Sequence, residues 1–553
     1  MSPSPSPAPD PHSVPDVLIQ VLEILQDTSD DLAPCGAPVL AQLSSLHALL
    51  STALDSPSTP ACSAAQTLAG TLLDTANHEL NAVPYSRVQA HWRRLYTDAG
   101  LLLVLARLAD PDADENRRED HARESVRLLD MALIVAGAPG EGRTELVFVL
   151  LELAQDRLRA AAGTATDGEP PLKKRRRGSS PPPSPSRSPR PAAPAPGPTR
   201  APLPPPYLHR PLPCLSSLPS SLTPNPSAVP PFSASPSHAH NAPFVIRRAY
   251  SSSTACERWG DPAYLREKAG PGRVVPVEVG GDYTAEGWGQ RVMPFDEFLE
   301  ALSPPSPESS SSPAAPPPVF YLAQHSLFHQ LPTLLADLPL PALSDPAVRP
   351  QTDGSGVRYS GAGATTADGR VVNAWLGPRG TKSAAHTDPG WNCYIQVTGS
   401  KWVWVAPPSL TSADMGAFGS SSAPSPSVPA DAAEEKPTVS KNDKTTSSAA
   451  AHEYMTNTSA LDVTVAPPFP PVPYPPSSSS PADASHPDSE KRDGPPEEEK
   501  EEQEGYYPRA WLDKVEPLAR QAVLEAGDVL VLPPRWWHAM LSLEPSFSVS
   551  VWF

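Results

Sequence analysis

The chain has 553 residues, 77 of them proline and 31 glycine, with a formal charge of −18. An average chain holds about 5% proline, so one uninterrupted compact domain is excluded and low-complexity segments must separate ordered ones. The acidic balance argues against a surface that coats nucleic acid, and five scattered cysteines without a C-x-x-C pair exclude a disulfide framework and a cysteine zinc site.

The N-terminus, MSPSPSPAPD, lacks the basic start and apolar core of a signal peptide. No apolar run reaches the ~18 residues of a membrane span. The expectation is a soluble intracellular protein in a reducing compartment, with no membrane and no direct nucleic-acid partner. Residues 1–163 then read as an all-α module. Val17, Leu18, Val21, Leu22 and Leu25 follow one face of a 3.6-residue period. Ala99–Leu108, Ser125–Ala136 and Thr144–Ala162 repeat the habit. No chemistry shows in these helices, so docking of an unknown partner is their default role.

Residues 164–242 collapse into Pro, Ser and Ala, the composition of a disordered linker with polyproline II character. Within it Lys173, Lys174, Arg175, Arg176 and Arg177 form a run of cations that no core could hold. Such a run is a solvated charge cluster or a nuclear import signal. An exposed linker favours the signal, which places the protein in the nucleus, with the cytoplasm as a second location.

From 243 to 553 the pattern turns to short apolar runs bounded by Gly and Pro. They are Phe244–Ile246, Val274–Val279, Val319–Leu322, Val371–Leu376, Asn392–Ala406, Val523–Leu532 and Phe547–Phe553. Many short strands and few helices predict a β-sandwich or barrel. Low-complexity insertions at about 303–318 and 409–504 break it, the second ending in the acidic run Glu497–Glu504. Long surface insertions cost little because closure entropy grows only with the logarithm of length.

The chemistry concentrates in two stretches of this region. His386-Thr387-Asp388 places an imidazole and a carboxylate at i and i+2, on one side of an extended chain. Far downstream, Glu525 to His538 reads EAGDVLVLPPRWWH, and His538 follows a strand and a Pro-rich turn. Two His and one carboxylate make a facial triad that leaves open positions on Fe(II). Alone, each piece is more readily read as a chance H-x-D or as a packed core histidine.

Several stretches together resemble the Jumonji-C oxygenases. They are VPVEVGGDYTAEGW (275–288), YLAQHSLFHQLP (321–332), NAWLGPRGTKSAAHTDPGWN (373–392), QVTGSKW (396–402), EAGDVLVLPPRWWH (525–538) and SFSVSVWF (546–553). HWRRLYTDAG (91–100) and RLLDMALIVAGA (127–138) resemble the helical part of one such protein. The resemblance implies an α + β chain: a helical N-terminal module, a disordered linker and a cupin-like double-stranded β-helix. It implies Fe(II) held by His386, Asp388 and His538, with 2-oxoglutarate and O₂ as co-substrates. It assigns Lys401 to a carboxylate of 2-oxoglutarate and Tyr321, Ser383 and Asn392 to hydrogen bonds around it.

By the same resemblance Glu278, Tyr283, Trp288 and Trp375 line the substrate side chain. A carboxylate beside aromatic rings suits a guanidinium, which pairs bidentately and stacks. The expected activity is therefore hydroxylation of a protein side chain, arginine first. The alternatives are demethylation of lysine, histone tails included, and a non-catalytic cupin scaffold.

Overall fold

The structure, a computed structural model, describes residues 14–26, 30–84, 87–111, 113–166, 212, 214–215, 242–280, 288–302, 318–340, 370–418, 457–464 and 509–552. The Lys173–Arg177 run, Tyr283, Phe553 and the Glu497–Glu504 run lie outside them.

The N-terminal helices follow from their apolar spacing. They are α1 (Val14–Gln26), α2 (Ala37–Asp55), α3 (Thr59–Ala82), α4 (Ala90–Leu108), α5 (Glu115–Met131) and α6 (Arg143–Thr166). In α1 the buried residues are Leu18, Val21, Leu22 and Leu25, four of the five apolar positions expected. Helix α4 is apolar almost all round and buried from Arg94 onward, so it forms the centre of the bundle. Asp114 caps α5 by accepting a hydrogen bond from Arg117 N at 2.8 Å. A π-helical turn over Ala132–Ala136 continues α5 and ends at left-handed Gly137.

Helix α2 corrects one expectation: by length and composition it could cross a membrane. Its Leu43, Leu46, Leu50 and Ala53 are instead buried in the helical core.

Thirteen strands follow among the described residues. They are β1 (Cys214–Leu215), β2 (Phe244–Ile246), β3 (Val274–Val279), β4 (Gly289–Pro294), β5 (Phe320–His325), β6 (Val371–Gly377), β7 (Lys382–Thr387), β8 (Asn392–Thr398), β9 (Lys401–Ala406), β10 (Arg520–Leu524), β11 (Val529–Leu532), β12 (Trp537–Ser542) and β13 (Ser546–Trp552). One sheet runs β1-β2-β11-β8-β13-β6-β5-β3-β4 and the other β10-β9-β12-β7. All pairings are antiparallel except β1 with β2. Residues from both sheets share one core: Val245, Tyr394 and Leu530 meet Val403, Val405 and Met540. Alternation places Trp402 and Trp404 on the opposite face of β9, in a separate cluster with Trp511 and Trp537.

The sheets differ from the expected runs in places with identifiable causes. Asn392–Ala406 is two strands, turned at Gly399, where φ is 69° and a Cβ would strike the Pro545 carbonyl. Val523–Leu532 is likewise split at Gly527, with φ 92°. Inside the expected linker, Leu212 is buried and its N–H bonds to Gln521 O at 3.0 Å. Inside the expected second insertion, residues 410–418 and 457–464 pack on the four-stranded sheet through Leu410, Met415, Leu461 and Val463. Composition hid these segments because a few apolar residues suffice to dock a strand on an existing sheet.

Candidate active site

Strand β7 carries His386 near its end, and Asp388 follows one residue beyond it. Strand β12 begins at Trp537, which makes His538 the register partner of His386. Their ring centroids are 4.2 Å apart. Asp388 Oδ1 lies 4.0 Å from His386 Nε2, and Asp388 Oδ2 lies 3.5 Å from His538 Nε2. One ligand atom from each residue falls within 4.8 Å of the others.

Backbone carbonyls orient both imidazoles. His386 Nδ1 is 2.7 Å from Ala384 O, and His538 Nδ1 is 3.0 Å from Trp536 O. A carbonyl only accepts, so each Nδ1 carries the proton and each Nε2 keeps its lone pair for a metal. The Pro-rich turn before His538 is tied to the same point: Arg535, at φ 65°, donates its N–H to Asp388 O at 2.7 Å. Burial, and then the neighbouring His386, push the His538 pKa down to about 4, which keeps the ring neutral. Asp388 Oδ2 is buried without a hydrogen-bond donor. Two imidazole Nε2 atoms and one under-satisfied carboxylate, within 4.8 Å of one another, fit a divalent iron ion.

Lys401 stands at the start of β9 and is 1% exposed. Its Nζ donates to Tyr394 Oη at 2.9 Å and to Tyr321 Oη at 3.2 Å. Burial lowers its pKa to about 7, with no carboxylate in the described structure to restore it. A buried ammonium held by two phenol oxygens suits a carboxylate ligand. Asn392, 4% exposed, leaves its Oδ1 without a partner, and rotation of the amide would present N–H groups to the same ligand.

A cavity of about 440 Å³ opens beside the triad. Glu278, Trp288, Tyr321, Trp375 and Ser383 line it together with His386 and Asp388. Lys401 and Asn392 are not on its surface; Lys401 reaches it through Tyr321. A second cavity, of about 550 Å³, lies among the N-terminal helices and away from this chemistry.

Several residues at the site are not picked out from the sequence, among them Tyr394, Gln324, Asn457 and Thr458. Tyr394 could have been found, because it lies two residues beyond Asn392 on the same face of β8. Gln324 lines the cavity at φ 48°, inside a β-bulge, with no local signal. Asn457 and Thr458 line it from within the expected insertion. Their backbones pair with β7: Thr387 N–H donates to Asn457 O at 3.1 Å, and Ser459 N–H to Ala385 O at 2.7 Å.

Residues 232–553 match the family model described as a cupin-like domain. The chain is 28% identical over 312 residues to Jumonji C domain-containing protein 5 of Drosophila melanogaster, covering 56% of this chain and 54% of that protein. It is 27% identical over 311 residues to lysine-specific demethylase JMJ30 of Arabidopsis thaliana, covering 56% and 49%. It is 35% identical over 148 residues to lysine-specific demethylase 8 of Danio rerio, covering 27% and 30%. The chain thus spans about half the length, or less, of the curated relatives it matches.

Proposed function

The chain belongs to the cupin-like Jumonji-C family, and on that premise we propose that it is an iron- and 2-oxoglutarate-dependent oxygenase that hydroxylates a protein side chain. The observation that carries this is the convergence of His386, Asp388 and His538 beside a cavity backed by the buried Lys401. Bound iron, with 2-oxoglutarate and dioxygen, supplies the oxidising power for inserting oxygen into a C–H bond. The residues do the rest. His386, Asp388 and His538 would hold the metal at the wall of the cavity. Lys401 fixes one carboxylate of the co-substrate, with Tyr321, Ser383 and Asn392 hydrogen-bonding around it. Trp288 and Trp375 narrow the cavity and exclude water.

Arginine is the favoured target. Glu278 faces the cavity among Trp288, Tyr321 and Trp375, whose ring lies 6.2 Å from that of Tyr321. A carboxylate beside rings can pair bidentately with a planar guanidinium and stack on it. Tyr283 is placed in the same substrate set by its motif. Lysine demethylation is the second function, favoured by the printed names of the Arabidopsis and zebrafish relatives. Histone tails are one basic protein substrate class for this second function, and the Lys173–Arg177 run supports a nuclear setting.

The test is to offer the full chain arginine and methyl-lysine peptides with Fe(II), 2-oxoglutarate and air, and to weigh the products. Gain of one oxygen with succinate release supports hydroxylation; loss of a methyl group with formaldehyde supports demethylation. Co-substrate that stays intact with wild-type protein, with or without peptide, would return the barrel to a scaffold role.

A further inference from the structure

We propose that Asp130, on helix α5, is a positioning residue for the substrate-facing wall of the barrel, acting through Arg273 and Gln330. This assignment builds on the oxygenase function above, but the contacts behind it do not depend on that function.

Asp130 is fully buried on the face of α5 that also carries Val126 and Leu129. A lone carboxylate there would be strongly destabilising. It accepts from Arg273 Nε at 2.9 and 3.0 Å, from Arg273 Nη2 at 2.7 Å and from Val274 N at 2.8 Å. Val274 is the first residue of β3, so a helix outside the barrel holds the start of a barrel strand. Arg273 Nη2 also donates to Gln330 O at 2.7 Å.

Gln330, 1% exposed, carries the connection across to β5. Its Nε2 donates to Val274 O at 2.6 Å, and its Oε1 lies 2.8 Å from His325 Nε2. Val274 O only accepts, so the amide orientation is set and His325 must donate from Nε2. The β3–β5 ladder pairs Glu278 with Tyr321 and Val279 with Phe320. Four residues further along both strands, Val274 and His325 are joined through the Gln330 amide. Glu278 and Tyr321 line the cavity, and so does Gln324, the neighbour of His325. The far ends of both wall strands are therefore referenced to α5.

The simpler alternative is that Asp130 and Arg273 merely fasten the helices to the barrel. Gln155 separates the two roles. Its Nε2 donates to Ala269 O and Pro271 O, both at 3.0 Å, so it fastens the same interface without touching either wall strand.

The experiment uses the full chain with the double substitution Asp130→Leu and Arg273→Met. It removes both charges together, because a single substitution would strand a buried ion. Hydrogen exchange of 274–279 and 320–325 should rise about tenfold while 382–387 and 537–542 stay protected. The KM for the peptide should rise about tenfold, with a smaller rise in the KM for 2-oxoglutarate through Tyr321. Gln330→Leu, with the ion pair intact, should give the same exchange pattern and decides the matter if the double variant does not fold. Gln155→Ala should lower Tm without selecting the wall strands. Exchange that is unchanged in the wall, or raised evenly over the barrel, overturns the assignment. If the wild type consumes no 2-oxoglutarate, the function fails while the exchange arm still judges Asp130.

Discussion

His386 and His538 are direct cross-strand partners on β7 and β12, with ring centroids 4.2 Å apart. The register shifts between His538 and Met540, immediately after the second histidine. A bulge at that point re-aims the side chains beside it. The two histidines of a candidate metal centre are thus placed by strand register in the smaller sheet, while Asp388 is held one residue beyond β7 by the Arg535 N–H.

His386→Ala removes one of the three proposed ligands. Loss of an outer-shell partner alone costs 10–100-fold in metal affinity or activity, so loss of a ligand should cost at least about 100-fold. Anaerobic Fe(II) titration and succinate release check this against wild type. Unchanged iron affinity would remove His386 from the ligand set.

The affinity for 2-oxoglutarate should depend on pH through Lys401. Its pKa is about 7 in the free protein, lowered by burial. A bound carboxylate raises it, so the protonated amine is the binding form and binding takes up a proton above pH 7. The Kd should be flat below that pH and weaken by up to about tenfold per unit above it. Lys401→Met should abolish the slope along with most of the affinity. Calorimetric titration from pH 6 to 9 in the presence of metal reads both effects.

Glu278→Gln keeps the shape of the wall and deletes its charge. A hydrogen bond to a charged group is worth about 1.5–3 kcal/mol, so KM for an arginine peptide should rise about 10- to 150-fold. Co-substrate turnover without peptide should not change. Equal loss with a neutral peptide would show that Glu278 does not select the cation.

Two excisions should behave differently. Removing 419–456 and 465–504, with short joins, spares the segment 457–464 that pairs with β7. Removing 409–504 takes that segment and its Lys382–Asp462 ion pair together. It also unpairs the β7 edge at Ala385 and Thr387 and, by removing Leu410, Met415, Leu461 and Val463, uncovers the face of the smaller sheet that carries Trp402, Trp404 and Trp537. The second variant should lose Tm and iron affinity while the first keeps both. Indistinguishable thermal melts would deny the segment a supporting role.

Much of the architecture is legible in the chain. Apolar residues at helical spacing announce α1, and the stretches Ala99–Leu108, Ser125–Ala136 and Thr144–Ala162 all fall within helical turns of α4 to α6. Short β-rich runs announce the barrel, although β4, β7 and β12 lack a continuous apolar run and are hidden by their polar positions. At the site, His386 and Asp388 are readable as a pair because two residues of extended chain place them on one side. Gln324 was not readable, because its left-handed backbone arises where β5 breaks register against β6.

Lys401 and Glu278 are assigned only by resemblance; what the sequence by itself determined is an imidazole and a carboxylate at i and i+2 and a distant histidine after a Pro-rich turn. These follow from residue type and short spacing, which local chain geometry preserves. Only the tertiary structure decided that His538 pairs with His386 across 152 positions, that Tyr321 and Tyr394 cradle Lys401, and that Asn457 and Thr458 reach the cavity. It alone joined Asp130 to β3. Register and packing between distant segments depend on how whole faces fit, and no local spacing carries that information.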